Sequence, residues 1–423
     1  MCIKRESKTS EAPATAAAGQ DGIILKLDFS PGSRYISLPM SRNKLNIMSV
    51  VGARPNFMKI APFVRELQRY PDCFAHTLVH TGQHYDASMS DAFFQQLNIP
   101  NPDVDLEIGS GSHAEQVGKT MIAFEKVVRE RKPDWIIVVG DVNATCACSI
   151  TAKKEHVKLA HIESGLRSFD LDMPEEINRM VTDRLSDILF TTDELADANL
   201  LKEGVSPDRI KRVGNIMIDS LEQQRVIAAA LNPDALCADY ALPGALHPNP
   251  PIRDNRFSTI TLHRPSNVDD KDILGELVAF LTTDVAPVLP LIWPVHPRTR
   301  KQLELFGLWD TLRKCPGVIL TQPLGYHEML RLTMGSKVML TDSGGLQEEC
   351  CVLGTPCLTL RWNTERPVTL REHGGASILV GNDIQKIRTE FREAVILPRA
   401  EHRPPLWDGQ TAERIVACFK ELL

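Results

Sequence analysis

The sequence predicts an α/β protein of two domains, each built around a parallel β-sheet. The chain has 423 residues, which is more than one hydrophobic core usually organises. From Leu45 onwards, short apolar runs alternate with longer segments of helical pattern. Short continuous apolar runs are typical of strands buried on both faces, as in parallel sheets that helices cover.

The composition excludes several functional classes. Hydrophobic residues make up 43% and charged residues 24% of the chain, the balance of an ordinary soluble globular protein. The net charge of −6 argues against a nucleic-acid partner, although a local basic pocket for a phosphorylated small molecule remains compatible with it. No apolar run reaches the roughly 18 residues that span a bilayer, so we expect no membrane partner.

The cysteines and the N-terminus indicate a cytoplasmic protein. The ten cysteines are scattered and form no CxxC pair, which predicts reduced thiols and no metal site. Lys4 and Arg5 are not followed by an apolar stretch, so the N-terminus does not resemble a secretory signal.

Residues 1–43 are predicted to be an N-terminal extension. Residues 7–22 are rich in Ala, Ser, Thr and Gly, and such a segment buries too little apolar surface to order itself. Residues 23–38 are more apolar and compatible with a short hairpin. We therefore expect this extension to be disordered or weakly ordered, and we assign it no function.

Residues 44–214 are predicted to form the first domain. Its helices are expected at 59–70, 113–131 and 174–185, the last with a proline and two glutamates in its first turn. The apolar runs predict strands at 46–51, 76–80, 135–139, 159–162 and 187–191.

Residues 215–410 are predicted to form the second domain. The Pro-rich stretch 242–252 resembles a linker, but the sequence Val213-Gly214-Asn215 before a predicted helix is an equally good hinge, and we place the division there. Strands are predicted at 257–262, 291–295, 318–320, 338–341 and 356–360.

A glycine-rich turn in the second domain predicts an anion site. Ser343-Gly344-Gly345 follows the strand at 338–341 and precedes a helix that ends near Gly354. The free N–H groups and positive dipole of a helix N-terminus favour a phosphate, and glycines let it approach the backbone. Glu349 lies about one turn further along the helix, where its carboxylate can accept hydrogen bonds from sugar hydroxyls. The alternative is an ordinary turn in which Ser343 only caps the helix.

Polar side chains follow the predicted strands at their carboxyl ends, the edge at which open α/β sheets bind ligands. Two such sheets facing each other would place these side chains around one cleft. The residues at these positions are Arg54, Asp141, Glu163, His263, His296 and Ser343.

Seven polar and glycine-containing motifs follow one another along the chain, at residues 52–62, 81–84, 140–141, 161–167, 174–179, 341–349 and 364–367. Each motif alone is weak evidence for a family, but seven in register are strong evidence. With these motifs the chain, from Leu45 to its C-terminus, resembles the non-hydrolysing UDP-N-acetylglucosamine 2-epimerases. The resemblance implies a GT-B-like architecture, with two Rossmann-like domains facing a central cleft and a last helix (411–423) that returns to the first domain.

The resemblance implies reversible inversion at C2 of UDP-GlcNAc to give UDP-ManNAc. Because no carbonyl makes the C2 proton acidic, UDP leaves first by anti elimination and 2-acetamidoglucal forms; syn re-addition then protonates the other face. This chemistry requires a UDP-sugar substrate and no cofactor or metal. The family also suggests a homodimer and a place in cell-envelope or capsular polysaccharide supply.

The resemblance carries roles to individual residues. Asp141, Glu163, Glu175 and His263 match catalytic positions, and we expect mutual repulsion of the three carboxylates to raise at least one pKa. The substrate-binding positions are Arg54, Lys59, Asp141, Glu163, His263, Leu324, Met329, Ser343, Gly344, Gly345, Glu349 and Arg366.

Simpler alternatives accompany these roles. Arg54 and Lys59 could form a solvated surface pair, Asp141 could be a helix N-cap, and a histidine at a strand end is often structural. For the whole chain the alternatives are a hydrolysing 2-epimerase, a GT-B glycosyltransferase and a non-catalytic nucleotide-sugar sensor. Arg54-Pro55 argues against the first alternative, because hydrolysing relatives carry Arg-Ala-Asp there. The three carboxylates together argue against the other two.

Overall fold

The computed structural model describes residues 44–52, 54–82, 100–246 and 251–423, together with the backbone of three short N-terminal strands. The side chains of Arg54 and Pro55 lie outside the described residues, as do Gln83 and His84 of the second motif. The N-terminal strands β1 (Ala17–Gly19), β2 (Gly22–Leu25) and β3 (Ile36–Leu38) form an antiparallel sheet. The expected weak order of the remaining extension stays a prediction.

The first large sheet has seven strands, all parallel, in the order β10-β9-β8-β7-β4-β5-β6. Two short edge strands, β6 and β10, were not predicted, because runs of two and three residues leave no periodic signal. The strands are β4 (Leu45–Val51), β5 (Phe74–His80), β6 (Val104–Asp105), β7 (Trp135–Val139), β8 (Lys158–Ser164), β9 (Ile188–Thr191) and β10 (Ile210–Arg212).

The second large sheet has six parallel strands in the order β13-β12-β11-β14-β15-β16. Two parallel sheets with connecting helices confirm the predicted fold class. The strands are β11 (Ser258–Thr261), β12 (Leu291–Pro294), β13 (Val318–Thr321), β14 (Val338–Thr341), β15 (Cys357–Thr359) and β16 (Ser377–Leu379).

Helices connect the strands of both sheets. The first begins earlier than the predicted residue 59, because Pro55 suits an opening helical turn and the expected Arg-Pro turn is itself helical. The main helices of the described chain are Arg54–Gln68, His113–Arg131, Asn143–Lys154, Pro174–Leu185, Glu194–Lys202, Ile216–Ala229, Pro233–Asp239, Lys271–Phe280, Pro297–Leu305, Trp309–Lys314, Tyr326–Gly335, Gly344–Leu353, Ile384–Ile396 and Thr411–Lys420.

The C-terminal helix packs against the first sheet and its helices. The ring of Phe419, which is fully buried, lies 6.3 Å from that of Phe63 and 5.4 Å from that of Trp135, centroid to centroid. At its N-terminus, the carboxylate of Asp219 accepts hydrogen bonds from the main-chain N–H groups of Thr411 and Ala412. The chain thus returns from the second sheet to the first. The division of domains near residue 214 remains our proposal.

Among the described residues, no helix combines the length and the apolar character needed to cross a lipid bilayer.

Candidate active site

A cavity of about 420 Å³ opens between the carboxyl ends of the two large sheets. Nearly all the side chains that the sequence assigned to the site line it. The assigned residues in its wall are Lys59, Asp141, Glu175, His263, Leu324, Met329, Ser343, Gly344, Gly345, Glu349 and Arg366. Glu163 lies directly behind the wall, in contact with Lys59 and Arg366. For Arg54 the structure describes only a backbone at the start of its helix.

The glycine-rich turn presents an open helix N-terminus to the cavity. Ser343 occupies the N-cap position of the helix Gly344–Leu353, but its side chain makes no capping hydrogen bond. A Cβ added to Gly345 would meet only the Met217 methyl group, 4.0 Å away, among the described atoms. One added to Gly344 would lie 2.8 Å from a guanidinium nitrogen of Arg366. Gly345 therefore faces open cavity, whereas Gly344 is packed from behind.

Glu163 lies at an irregularity in strand β8. The pairing of β8 with β9 shifts register between Ile162 and Ser164, and Glu163 adopts a positive φ of 71°. The sequence placed it just beyond the strand, but it belongs to the strand as a bulged residue. A bulge re-aims a side chain, and here it brings the carboxylate between two cations.

Those two cations come from opposite sides of the cleft. Lys59 forms a short ion pair with Oε2 of Glu163, and Nη2 of Arg366 donates to Oε1 over 2.7 Å. Burial alone would raise the pKa of Glu163, but the charges of Lys59 and Arg366 outweigh it and hold the pKa below its ordinary value. The expected rise in pKa through carboxylate repulsion does not occur at this residue. In this arrangement Glu163 is anionic.

Two glutamates that the sequence did not single out complete the surroundings of Arg366. Oε1 of Glu348 lies 2.7 Å from Nε of Arg366 and accepts a hydrogen bond of 2.9 Å from Asn215. Glu365 pairs with Arg366 and, over 2.6 Å, with Arg361. Their motifs contain several polar residues in succession, and sequence alone does not show which of these face inward.

The raised carboxyl pKa values of the site belong to the helix Gly344–Leu353. Burial, reinforced by the charge of Glu163, raises the pKa of Glu348 to about 7, against the pull of Arg366 and Lys59. Burial and the neighbouring Glu348 raise the pKa of Glu349 to about 8. Each is the effect of removing a carboxylate from water.

Asp141 and Glu175 approach the cavity from the first domain. Asp141 is not a helix N-cap, since the following helix begins after Val142; instead its Oδ2 accepts a hydrogen bond from Nη1 of Arg179. Arg179 was also not predicted. It is buried, and Glu176 holds it over 2.6 Å, so that Asp141 is oriented by a fixed cation. Glu175 lies in the first turn of the helix Pro174–Leu185, as expected.

His263 enters from the opposite side, two residues beyond β11. Its Nδ1 lies 2.6 Å from Oδ1 of Asp342, and its ring centroid lies 5.8 Å from that of His296. The His263 side chain is 43% exposed, while that of Asp342 is fully buried. Within the described parts of the chain, no group of three or more His, Cys, Asp or Glu side chains could hold a metal ion.

Comparison with known proteins identifies the family. Residues 65–420 match the family described as UDP-N-acetylglucosamine 2-epimerase. The chain belongs to this family. It is 40% identical over 375 residues to the UDP-N-acetylglucosamine 2-epimerase of Methanocaldococcus jannaschii, covering 88% of this chain and 98% of that protein. It is 39% identical over 382 residues to the UDP-2,3-diacetamido-2,3-dideoxy-D-glucuronate 2-epimerase of Pseudomonas aeruginosa, covering 89% and 100%.

Solved structures of the family share the architecture. The M. jannaschii UDP-GlcNAc 2-epimerase in complex with UDP-GlcNAc and UDP superposes with a TM-score of 0.78 at 39% identity, over 89% of this chain and 100% of that one. The Neisseria meningitidis enzyme bound to UDP-GlcNAc gives a TM-score of 0.77 at 29% identity, over 89% and 100%. The two Rossmann-like sheets facing a cleft are the GT-B-like arrangement that the sequence predicted.

The open face of Gly345 makes the anion site testable. In Ser343→Ala combined with Gly345→Val, a branched side chain fills the space in front of the helix N-terminus, and one hydroxyl is lost. We expect UDP affinity, measured by titration calorimetry, to fall at least ~10-fold, because charge-assisted hydrogen bonds to the diphosphate, worth ~1.5–3 kcal/mol, are lost.

Gly118→Val is the matched control, since no described atom lies within 4 Å of a Cβ built on Gly118. Gly118 belongs to the helix His113–Arg131 and does not line the cavity. This variant should leave UDP affinity unchanged. Equal affinities in both variants and the wild type would remove the turn from the binding site.

Proposed function

We propose that this protein is a non-hydrolysing UDP-GlcNAc 2-epimerase that interconverts UDP-GlcNAc and UDP-ManNAc. One observation carries the proposal: a single cavity joins an anion site, made by the Ser343–Gly345 turn with Lys59 and Arg366, to the carboxylates Asp141 and Glu175. Glu163 lies directly behind its wall, on Lys59 and Arg366. Leaving-group stabilisation and proton transfer at the adjacent carbon are the two requirements of an elimination. The family and the similar proteins described above support the same activity.

The nucleotide half of the substrate fits the second domain. In this proposal Leu324 and Met329 contact the uracil, Glu349 accepts hydrogen bonds from the ribose hydroxyls, and the turn holds the diphosphate. Because burial raises the pKa of Glu349 to about 8, hydrogen bonds from two hydroxyls would stabilise its charged form. Cations and helix N–H groups placed in advance at the leaving group lower the barrier to its departure.

The sugar half fits the first domain. A carboxylate there takes the proton from C2, and the C2–H electron pair forms the C1–C2 double bond. The C1–O bond breaks, and UDP leaves with the electron pair of that C1–O bond. Re-addition reverses these movements, with a carboxylate delivering a proton to the other face of C2. Glu163, held anionic by Lys59 and Arg366, is in the form that accepts a proton.

His263 and Arg54 complete the proposed site. A protonated His263 would lie beside the departing diphosphate, and Arg54, at the start of the helix that carries Lys59, would add a further cation to Lys59 and Arg366. We further propose a cytoplasmic homodimer that supplies an activated amino sugar to polysaccharide synthesis. A second candidate substrate is a UDP-2,3-diacetamido-glucuronate, because the relative so named is 39% identical over its full length.

NMR of the protein incubated with UDP-GlcNAc tests the function. We expect UDP-ManNAc to accumulate until both epimers reach equilibrium, from either direction. Free ManNAc with UDP would identify a hydrolysing enzyme, and unchanged UDP-GlcNAc would contradict the proposal for this sugar. A parallel incubation with the diacetamido-glucuronate nucleotide, compared by kcat/KM, decides between the two sugars.

Substitution of the carboxylates tests their roles. In Asp141→Asn, Glu163→Gln and Glu175→Gln we expect turnover to fall ~10²–10⁴-fold, the usual contribution of a general acid or base. UDP affinity should persist, and in Glu163→Gln it should be maintained or increase, because Lys59 and Arg366 lose a competing anion. At least one variant should release detectable 2-acetamidoglucal.

Glu372→Gln is the control, since that carboxylate is 72% exposed. It should retain wild-type turnover. Full activity in all three cavity variants would move the chemistry to other groups.

A further inference from the structure

The carboxylate of Asp342 is built into the loop that carries His263. Asp342 follows β14 and is fully buried. Its Oδ2 accepts hydrogen bonds of 2.9 Å from the main-chain N–H groups of both His263 and Arg264, and one of 3.2 Å from Nδ2 of Asn267. Three donors saturate this oxygen and fix the plane of the carboxylate.

The other carboxylate oxygen faces the imidazole. Oδ1 of Asp342 lies 2.6 Å from Nδ1 of His263. Although burial acts to raise the pKa of Asp342, the contact with His263 and the main-chain hydrogen bonds hold the pKa below its ordinary value. The carboxylate is therefore anionic. Oδ1 has no hydrogen bond of acceptable geometry to any described atom, so its contact with Nδ1 is a close ion pair. An anion at this distance favours a proton on Nδ1 over a lone pair.

Within the part of the chain that the structure describes, no other anion is recorded at a ring nitrogen of His263. Two charged or titratable groups described beside this pair are Arg264, whose Nε donates to the main-chain oxygen of Asp342 over 3.0 Å, and His296, whose ring centroid lies 5.8 Å from that of His263. Burial, reinforced by the charge of Arg361, lowers the pKa of Arg264 against the opposing charges of Glu365, Asp342 and Glu175. Asp342 alone among these groups approaches a ring nitrogen of His263 as an anion.

We propose that Asp342 is a positioning residue that holds His263 with Nδ1 protonated, so that Nε2 is the nitrogen available to the ligand. This orientation serves the function proposed above, because a ring that keeps Nδ1–H can carry a second proton on Nε2 and present it to the leaving diphosphate. A carboxylate in this place both orients the ring and stabilises the imidazolium, as in the aspartate–histidine pair of serine proteases.

The donor pattern predicts the result of an amide substitution. In Asp342→Asn the side-chain oxygen must keep accepting from the three N–H donors, since an NH₂ group in its place would direct N–H against N–H. The NH₂ group is then directed at Nδ1 of His263. It can donate only to an unprotonated nitrogen, so the ring is forced into the neutral tautomer with its proton on Nε2.

The first experiment is ¹⁵N NMR of the histidine ring nitrogens in the full-length protein, with the His263 signals identified by their loss in His263→Gln. We expect a protonated Nδ1 in the wild type and a proton on Nε2 alone in Asp342→Asn. Asn267→Ala, which removes a donor but keeps the carboxylate, should retain the wild-type pattern. An unprotonated Nδ1 in the wild type would overturn the proposal without need of any variant.

The second experiment is a double-mutant cycle on turnover and UDP affinity. If Asp342 acts through His263, Asp342→Asn and His263→Gln should each reduce turnover ~10²-fold or more, and the double variant should be no worse than His263→Gln. If the two losses of turnover multiply in the double variant, Asp342 has an independent, structural role and the proposal is contradicted. The tautomer measurement does not depend on turnover, so an inactive protein with the expected ¹⁵N pattern would refute the epimerase function while the positioning role stands.

Discussion

The ion-pair cluster that crosses the cleft is the constraint on which the rest of the site depends. Arg366 is buried and contacts carboxylates from both domains, Glu163 from the first and Glu348 and Glu365 from the second. Removing one partner of a buried pair leaves an uncompensated charge and typically costs about 3–5 kcal/mol. The Arg366–Glu163 pair, which joins the two halves of the chain, therefore favours a separation of the sheets at which this contact is kept.

The same cluster prepares the site for an anion. Lys59 and Arg366 are desolvated and held by carboxylates before any diphosphate arrives, so they need little reorganisation to receive it. Gly140 leaves room for the Lys59 side chain, since a Cβ at this position would lie 3.2 Å from the Lys59 ammonium nitrogen. A low pKa at Glu163 and raised values at Glu348 and Glu349 follow from how completely each carboxylate is paired.

The fold and most of the cavity wall were predictable from the sequence, because parallel strands bring their carboxyl ends to one edge. Asp141, His263 and Ser343 were predictable in this way. Contacts that depend on side-chain direction were not predictable: the bulge at Glu163 has no sequence signal, and Arg179 and Glu348 lie among equally polar neighbours. Asp342 could be interpreted only as part of a turn, since its partner His263 follows a different strand of the sheet and is distant in sequence.

The central claim is that UDP leaves before C2 is reprotonated, so the returning proton comes from an exchangeable group. Turnover of UDP-GlcNAc in D₂O, followed by mass spectrometry and NMR, tests this most directly. The account predicts one deuterium at C2 of UDP-ManNAc from the first turnover onwards. A product that retains protium at C2 would contradict it, because direct transfer of the original hydrogen needs no elimination.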